Sequence, residues 1–204
     1  MPTKKTTKAS HKAADALDWD EAMSLVSRLY DDGRYRESML VAAGCFLGLR
    51  ISDILPLVWC DVCGGHRELT RVEKKTGKTR KLRLNGAFVA HADKCFAALG
   101  SRPDDFIFGS ARTYGRTPFT RQRAAQILSD IKDTYKVASA EVFSAHSLRK
   151  TFGRRVWQQE CEKGNGDMAL MLLADVFGHS NVAITKRYLG IRQEEILSVY
   201  DSLE

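Results

Sequence analysis

The sequence predicts a mainly α domain carrying one small antiparallel β-sheet. Apolar residues recur at spacings of three and four along most of the 204-residue chain, the pattern of amphipathic helices sharing a core. The period falls to two in one place, from Arg67 to Leu84, where two short runs flank a Gly-containing turn. No repeat, low-complexity stretch or compositional break divides the chain beyond its first 16 residues. Residues 1–16 read as a basic, mobile tail with little to bury, and 17–204 as a single domain.

Asp18 is the expected N-cap of a first helix, with Glu21 completing a capping-box variant and Trp19, Met23, Val26 and Tyr30 as the apolar stripe. Asp31, Asp32 and Gly33 stop it. A second helix from about Tyr35 carries Met39, Leu40, Ala43 and Phe46 toward Gly48. In GLRISDILPLVWCDV, Arg50 follows that glycine. Ser52 is the expected cap of a short third helix containing Ile54, Leu55 and Val58, with Pro56 near its first turn. After the hairpin, Ala87 to Leu99 is helical, with Phe88, Ala92, Cys95 and Leu99 on one side. Phe106, Ile107 and Phe108 form a short buried segment, and Thr120 caps a helix through Ala124, Ile127, Leu128 and Ile131.

In FSAHSLRKTFGRRVWQQ, Leu148, Phe152 and Val156 face the core. His146 and Arg149, three apart and so about 60° apart around a helix, can address one site. The same helix carries Lys150, Arg154 and Arg155, consistent with an edge lying along DNA. Asp167 can start the next helix, whose Leu170, Met171, Leu173 and Val176 are assigned to the core. IRQEEILSVYDSLE is a short amphipathic helix with Ile191, Ile196, Leu197 and Tyr200.

Composition excludes whole classes of function. With 44% apolar and 28% charged residues the chain is neither disordered nor membranous. No run approaches the roughly 18 apolar residues of a membrane helix, and MPTKKTTKASHKA lacks the apolar segment of a signal peptide, so the cytoplasm is the expected compartment. The five cysteines are odd in number and sit mostly in apolar patterns, as reduced core thiols do. Cys60, Cys63 and His66 resemble half of a zinc site, but no second pair follows at matching spacing, and no metal is expected. The net charge of +7 is unevenly placed. Arg71 to Arg83 holds seven basic residues against Glu73 alone, and Arg112, Arg116, Arg121 and Arg123 form a second cluster. Both favour a polyanion, nucleic acid first, over the plainer reading of a solvated basic surface.

The stretch LADVFGHSNVAITKRYLG, Leu173 to Gly190, bears the chemistry. A tyrosine phenol is a poor nucleophile at neutral pH, its ordinary pKa being about 10, so catalysis by one requires cations and proton acceptors around its target. His179 and Tyr188 are nine residues apart. A continuous helix would put them on opposite faces, about 13.5 Å apart along the axis. If they serve one site the helix must break, and Gly178 followed by Ser180 or Asn181 as a new N-cap offers the break. Taken alone, Tyr188 also reads as a packing residue and His179 as a capping one. Arg50, between Leu49 and Ile51, either snorkels to water or grips an anion. The hairpin-tip lysines Lys74, Lys75 and Lys78 either enter a groove and deliver a proton, or guard a sheet edge.

Four segments in order, GLRISD, KKTGKTRKLRL, HSLRKTF and GHSNVAITKRYL, resemble the catalytic domain of the tyrosine recombinase, or phage integrase, family over nearly the whole chain after the tail. The resemblance implies that family's catalytic-domain fold and a site-specific DNA recombinase of integrase or invertase type. It would cleave and rejoin double-stranded DNA through a 3′-phosphotyrosyl bond without metal or nucleotide cofactor. Carried over by position, Arg50 and Arg149 grip the scissile phosphate, His146 and His179 flank it, Lys75 protonates the leaving oxygen and Tyr188 is the nucleophile. Asp53 occupies the acidic position three residues after the first arginine, in a supporting rather than chemical role. Lys74, Lys78, Arg80, Arg121, Arg123 and Lys150 are the expected DNA contacts. The family implies a homotetramer on paired sites, with a monomer possible off DNA and residues Gln193 to Leu203 available to pack on a neighbour. Its members usually carry a further helical domain before the catalytic one, which the tail cannot supply. This chain is therefore expected to be a short member or a domain of a longer protein. Type IB topoisomerase-like relaxation, or a non-catalytic DNA-binding accessory on the same fold, are the alternatives.

Overall fold

Helix α2 (Tyr35–Leu47) is apolar on every side, and nine of its 13 residues are buried. A helix apolar all round needs neighbours all round. Here they are α1 (Trp19–Asp31), α4 (Gly86–Leu99) and α6 (Ala145–Cys161), all packed against α2. The computed structural model describes residues 14–191 and Tyr200. The remaining elements are α3 (Ile51–Ile54), β1 (Glu68–Val72), β2 (Thr79–Arg83), α5 (Arg121–Tyr135), α7 (Gly166–Phe177) and α8 (Val182–Leu189). The two strands pair antiparallel, Glu68 opposite Arg83 and Val72 opposite Thr79. Mainly α with a two-stranded sheet is the expected class.

Two apolar clusters form. The larger runs from Leu17 to Leu148 and includes Trp59, Phe88, Ile107, Phe108 and Ile131. The smaller consists of Leu170, Leu173, Phe177, Leu189 and Ile191, with Phe152, Trp157 and Tyr188 packed against it. Helix α6 touches both. Its Leu148 lies against Gly44 of α2, where a Cβ would come within 2.5 Å of the Leu148 Cβ, and its Gly153 lies under Phe177 and Leu189.

Several local expectations are corrected. Asp18 caps α1 through the amides of Asp20 and Glu21, but Glu21 does not close a capping box. Its carboxylate instead accepts from the amides of Ala138 (2.7 Å) and Ser139 (3.0 Å), in the loop between α5 and α6. Helix α3 ends at Ile54, before Pro56, and its N-cap position is Arg50 rather than Ser52. Val58 leaves the helix to bridge Phe106, because an extended segment there seats the Phe106–Phe108 stretch. Helix α7 begins at Gly166, one residue ahead of Asp167. Leu170 and Leu173 are core, but Met171 is 63% exposed, on a face shared with Met168 and Leu172.

Ala14 to Leu17 are tied to the body. The Leu17 amide donates to Thr151 Oγ1 at 2.8 Å, and Val142 and Asp15 exchange bonds, the Val142 amide donating to Asp15 Oδ2 at 3.0 Å. The expectations for residues 1–13, and for the C-terminal helix past Ile191 apart from exposed Tyr200, lie outside the described residues. Cys45, Cys63 and Cys95 are buried and Cys60 and Cys161 exposed, all five as free thiols. Burial raises the three buried thiols to about 12.

Candidate active site

The break between α7 and α8 builds one wall of the site. Gly178 adopts φ +65°, a left-handed conformation that suits glycine, and stops α7. The Gly178 amide returns to Asp175 O and the His179 amide to Ala174 O, at 3.0 and 2.9 Å, which satisfies the last-turn carbonyls they meet. Asn181 then caps α8, its Oδ1 accepting from the Ile184 amide at 3.0 Å. The two helices lie at 91°. That turn replaces an axial separation by contact: the His179 and Tyr188 rings meet edge to face at 5.3 Å.

Arg50, Lys74, Lys75, Arg121, His146, Arg149, His179 and Tyr188 line one cleft of about 790 Å³. They arrive from separate places: the start of α3, the hairpin loop, the first turns of α5 and α6, and the two sides of the α7–α8 break. All six positions assigned catalytic roles by resemblance therefore face one space.

Both arginines converge on one atom. Arg50 Nη2 and Arg149 Nη2 each donate to Phe177 O at 3.1 Å, at the carbonyl-rich end of α7. Arg50 also donates through Nη1 to Glu73 Oε2 at 2.9 Å. Glu73, 2% exposed, accepts from Thr76 Oγ1 at 2.7 Å and from Arg80 Nε as well. Burial alone would raise the Glu73 carboxyl, but the bonds from Thr76, Arg80 and Arg50 hold it below the usual carboxylate range. Arg80 Nη2 reaches Asp175 O at 2.9 Å. Arg149 is only 5% exposed, over the Phe177 ring. Burial pushes its guanidinium down to about 10, which still leaves it cationic at neutral pH.

Burial first, and then the same cations, set the nearby titrations. Burial lowers the pKa of His179, and Arg149 and Arg50 lower it further. His146 opens onto the cleft, yet the surrounding protein still disfavours its cation, with Arg149, Lys150 and Arg50 adding to the effect. Both imidazoles are therefore neutral at pH 7. His179 Nδ1 shares a hydrogen with Thr185 Oγ1 at 3.0 Å, which fixes the ring and leaves Nε2 without a protein partner among the described residues. Burial raises the Tyr188 phenol above 10 while Arg149 and Arg50 pull it partly back. Its hydroxyl is buried without a hydrogen-bond partner among the described residues. An unsatisfied buried hydroxyl costs about 1–3 kcal/mol, so this state is poised to gain from any acceptor that reaches it.

The predicted DNA contacts divide. Lys74 and Arg121 line the cleft, and Lys78 is exposed at the hairpin tip. Arg123 lies in a neighbouring cleft. Arg80 and Lys150 are turned inward instead: Arg80 onto Glu73 and α7, Lys150 onto Ala14 O at 2.6 Å with its ammonium over the Tyr188 ring. Sequence reasoning missed Glu73, Thr185 and the Phe177 carbonyl. Asp53 takes a definite supporting place, its Oδ1 accepting from the Lys74 amide at 3.0 Å and so anchoring the hairpin loop. Among the described residues no single helix is long and apolar enough to cross a membrane, and no three His, Cys, Asp or Glu side chains cluster as a metal site would need.

Known proteins match this chain along most of its length. The sequence pattern of the phage integrase family covers residues 15–195. The probable integrase/recombinase YoeC of Bacillus subtilis is 30% identical over 165 residues, 81% of this chain and 83% of that protein. Tyrosine recombinase XerC of Rhizobium meliloti is 30% identical over 161 residues, 78% of this chain but 46% of its own. The chain thus spans about half the length of that relative. Among solved structures, XerA recombinase superposes with a TM-score of 0.63 at 20% identity, covering 97% of this chain and 66% of that one. XerH site-specific recombinase, in a post-cleavage complex with palindromic difH substrate, gives 0.66 at 18% identity, covering 93% and 54%.

Proposed function

The chain belongs to the phage integrase family of tyrosine recombinases, enzymes that transfer DNA strands, and we propose that it does so at specific sites with Tyr188 as nucleophile. The observation that carries the assignment of roles is the convergence of six side chains from separate segments on one cleft. The Tyr188 oxygen bonds to the scissile phosphorus as the P–O5′ bond breaks, giving a 3′-phosphotyrosyl linkage and a free 5′-hydroxyl. The phenolic proton passes to a neutral imidazole, His179 being edge-on to the ring. Lys75 supplies the proton to the leaving oxygen. Arg50 and Arg149 grip the non-bridging oxygens of the phosphorane, a role supported by their convergence on one oxygen, the Phe177 carbonyl. His146 donates beside them. Attack by another 5′-hydroxyl reverses the step, so bond energy is kept and no nucleotide is consumed.

Double-stranded DNA is the substrate, held also by Lys74, Lys78 and Arg121. Strand exchange takes place in a homotetramer on paired sites in the cytoplasm, from a chain that can be a monomer off DNA. A suicide-substrate assay tests the chemistry: nicked duplexes carrying candidate sites, incubated without metal or ATP, resolved on denaturing gels. The expected result is a covalent adduct that Tyr188→Phe abolishes. DNA binding with no adduct from any site would instead favour a non-catalytic accessory, and relaxation of any supercoiled plasmid regardless of site would favour a topoisomerase.

A further inference from the structure

A second cleft, of about 580 Å³, lies beside the first, and Phe119 lines both. The start of α5 is the partition. Arg121 faces the catalytic side, and Arg123, two residues on and so roughly 200° around the helix, faces the other. Arg36, from the first turn of α2, and Arg112 complete a cationic lining with it. Among the described residues none of these three arginines has an ion-pair or hydrogen-bond partner for its side chain, and the Arg36 Nε is buried without one. The one acid of the lining, Glu37, lies 3.7 Å from Arg34. Tyr35, Arg36 and Glu37, the first residues of α2, line the same cleft, and that helix start has no side-chain cap.

Three guanidiniums, half-buried Arg36 and exposed Arg112 and Arg123, gather around one concavity with no carboxylate or carbonyl of the described residues on any of them, an arrangement that suits an anion. We propose that this second cleft grips a backbone phosphate of the bound duplex, away from the one that Tyr188 attacks, through Arg36, Arg112 and Arg123. Guanidinium forks suit phosphate oxygens, and the shared Phe119 wall keeps the two sites on adjoining surface. The proposal rests on the DNA-transferring role given above. Its test does not depend on cleavage.

In a Tyr188→Phe background, binding of a random-sequence duplex is followed by anisotropy from about 50 to 200 mM salt. Arg112→Gln/Arg123→Gln, at exposed positions, is expected to weaken binding about tenfold and to lower the log–log salt slope by about 1. Arg112→Lys/Arg123→Lys, which keeps the charge, retains the slope. Phenylglyoxal labelling read by mass spectrometry is expected to show Arg112 and Arg123 protected by the duplex. An unchanged affinity and slope in the Gln variant would overturn the proposal. So would equal loss in the Lys variant, or protection by inorganic phosphate with none from duplex. Absence of an adduct from the unsubstituted chain would count against Tyr188 chemistry alone.

Discussion

The two halves of the candidate catalytic cleft are built to different standards. The half that carries Arg50 and the hairpin lysines stands on the large core, around a helix buried on all sides. The half that carries His179 and Tyr188 stands on five buried residues and two helices of 12 and eight residues. A phosphate clamp gains from rigidity, since its donors need to be in place before charge develops. Tyr188, the proposed nucleophile, has its hydroxyl buried without a partner among the described residues, so in that role it must shift before it reacts, and a small core makes that shift cheaper. On the proposed chemistry, the difference places the motion of the reaction in α8 and the fixed frame in α2, α3 and the hairpin.

The sharpest way to break this comparison is at the joint. Glu73, from the hairpin, holds Arg50 and Arg80, and those arginines hold the end of α7 through Phe177 O and Asp175 O. Removing a buried carboxylate from between two cations costs about 3–5 kcal/mol, and the partial exposure of both arginines sets the expectation for Glu73→Ala near 3. Urea unfolding should register that loss, and adduct formation should fall by at least tenfold as α7 loses its anchors. Full stability in the variant would mean that the halves are joined by the apolar contacts along α6 and not by this carboxylate.

Two glycines of α6 and its partner sharpen the contrast at smaller cost. At Gly44 a methyl group would meet Leu148 Cβ at 2.5 Å, an atom fixed to the backbone of a buried residue. Alanine gains up to about 1 kcal/mol of helix propensity over glycine, but overpacking costs about 1–3, and a Cβ that cannot give way puts this site at the top of that range, so a net loss of about 2 is expected in global stability. At Gly153 the methyl would meet Leu189 Cδ2 and Phe177 Cζ at 2.7 and 2.8 Å, the far ends of side chains in the small core. Gly153→Ala should cost about 1 kcal/mol, because those ends can give way. Their movement displaces the two residues that flank Tyr188, so adduct yield should fall more steeply than stability. If Gly153→Ala proved as destabilising as Gly44→Ala, the second half would be as rigid as the first.

The sequence made much of this legible, and for local reasons. Gly178 carries its helix-end meaning locally and Ser180 or Asn181 the helix-start meaning, so a break between His179 and Tyr188 could be read there, while the choice of Asn181 came from the structure. The fold class followed from periodicity, and the ordered segments named the family. Glu73 could not be read, although it stood out as the lone acid among seven bases. Its meaning depends on Arg50, 23 residues away, and on the chain folding the acid inward. Arg80 and Lys150 show the reverse, since charge patterning cannot tell a cation aimed at DNA from one aimed at a helix's last carbonyls or at Ala14. Met171 was misplaced because periodicity gives the direction of an apolar stripe but not the width that neighbours cover.

The smallest expected effect separates the two halves by pH. His91 sits against Ser38 in the large core, and burial, with Lys94, lowers its pKa. His179 is lowered in the small half. A histidine whose folded pKa lies below its ordinary 6.5 stays neutral while the unfolded chain takes up a proton. Its contribution to stability is therefore present above 6.5 and is lost as pH falls from there through the folded value. Urea midpoints at pH 7.5 and 5.5 should show a modest loss, smaller than that from either glycine substitution, and His91→Asn should flatten it. His179→Asn should leave the global midpoint's pH dependence nearly intact but flatten that of amide exchange in α8, because a small core opens before the large one unfolds. If His179→Asn flattened the global transition as much as His91→Asn, α8 would unfold only with the whole domain. On the proposed chemistry, Tyr188 would then have to reach the phosphate by a side-chain rotation within a fixed helix.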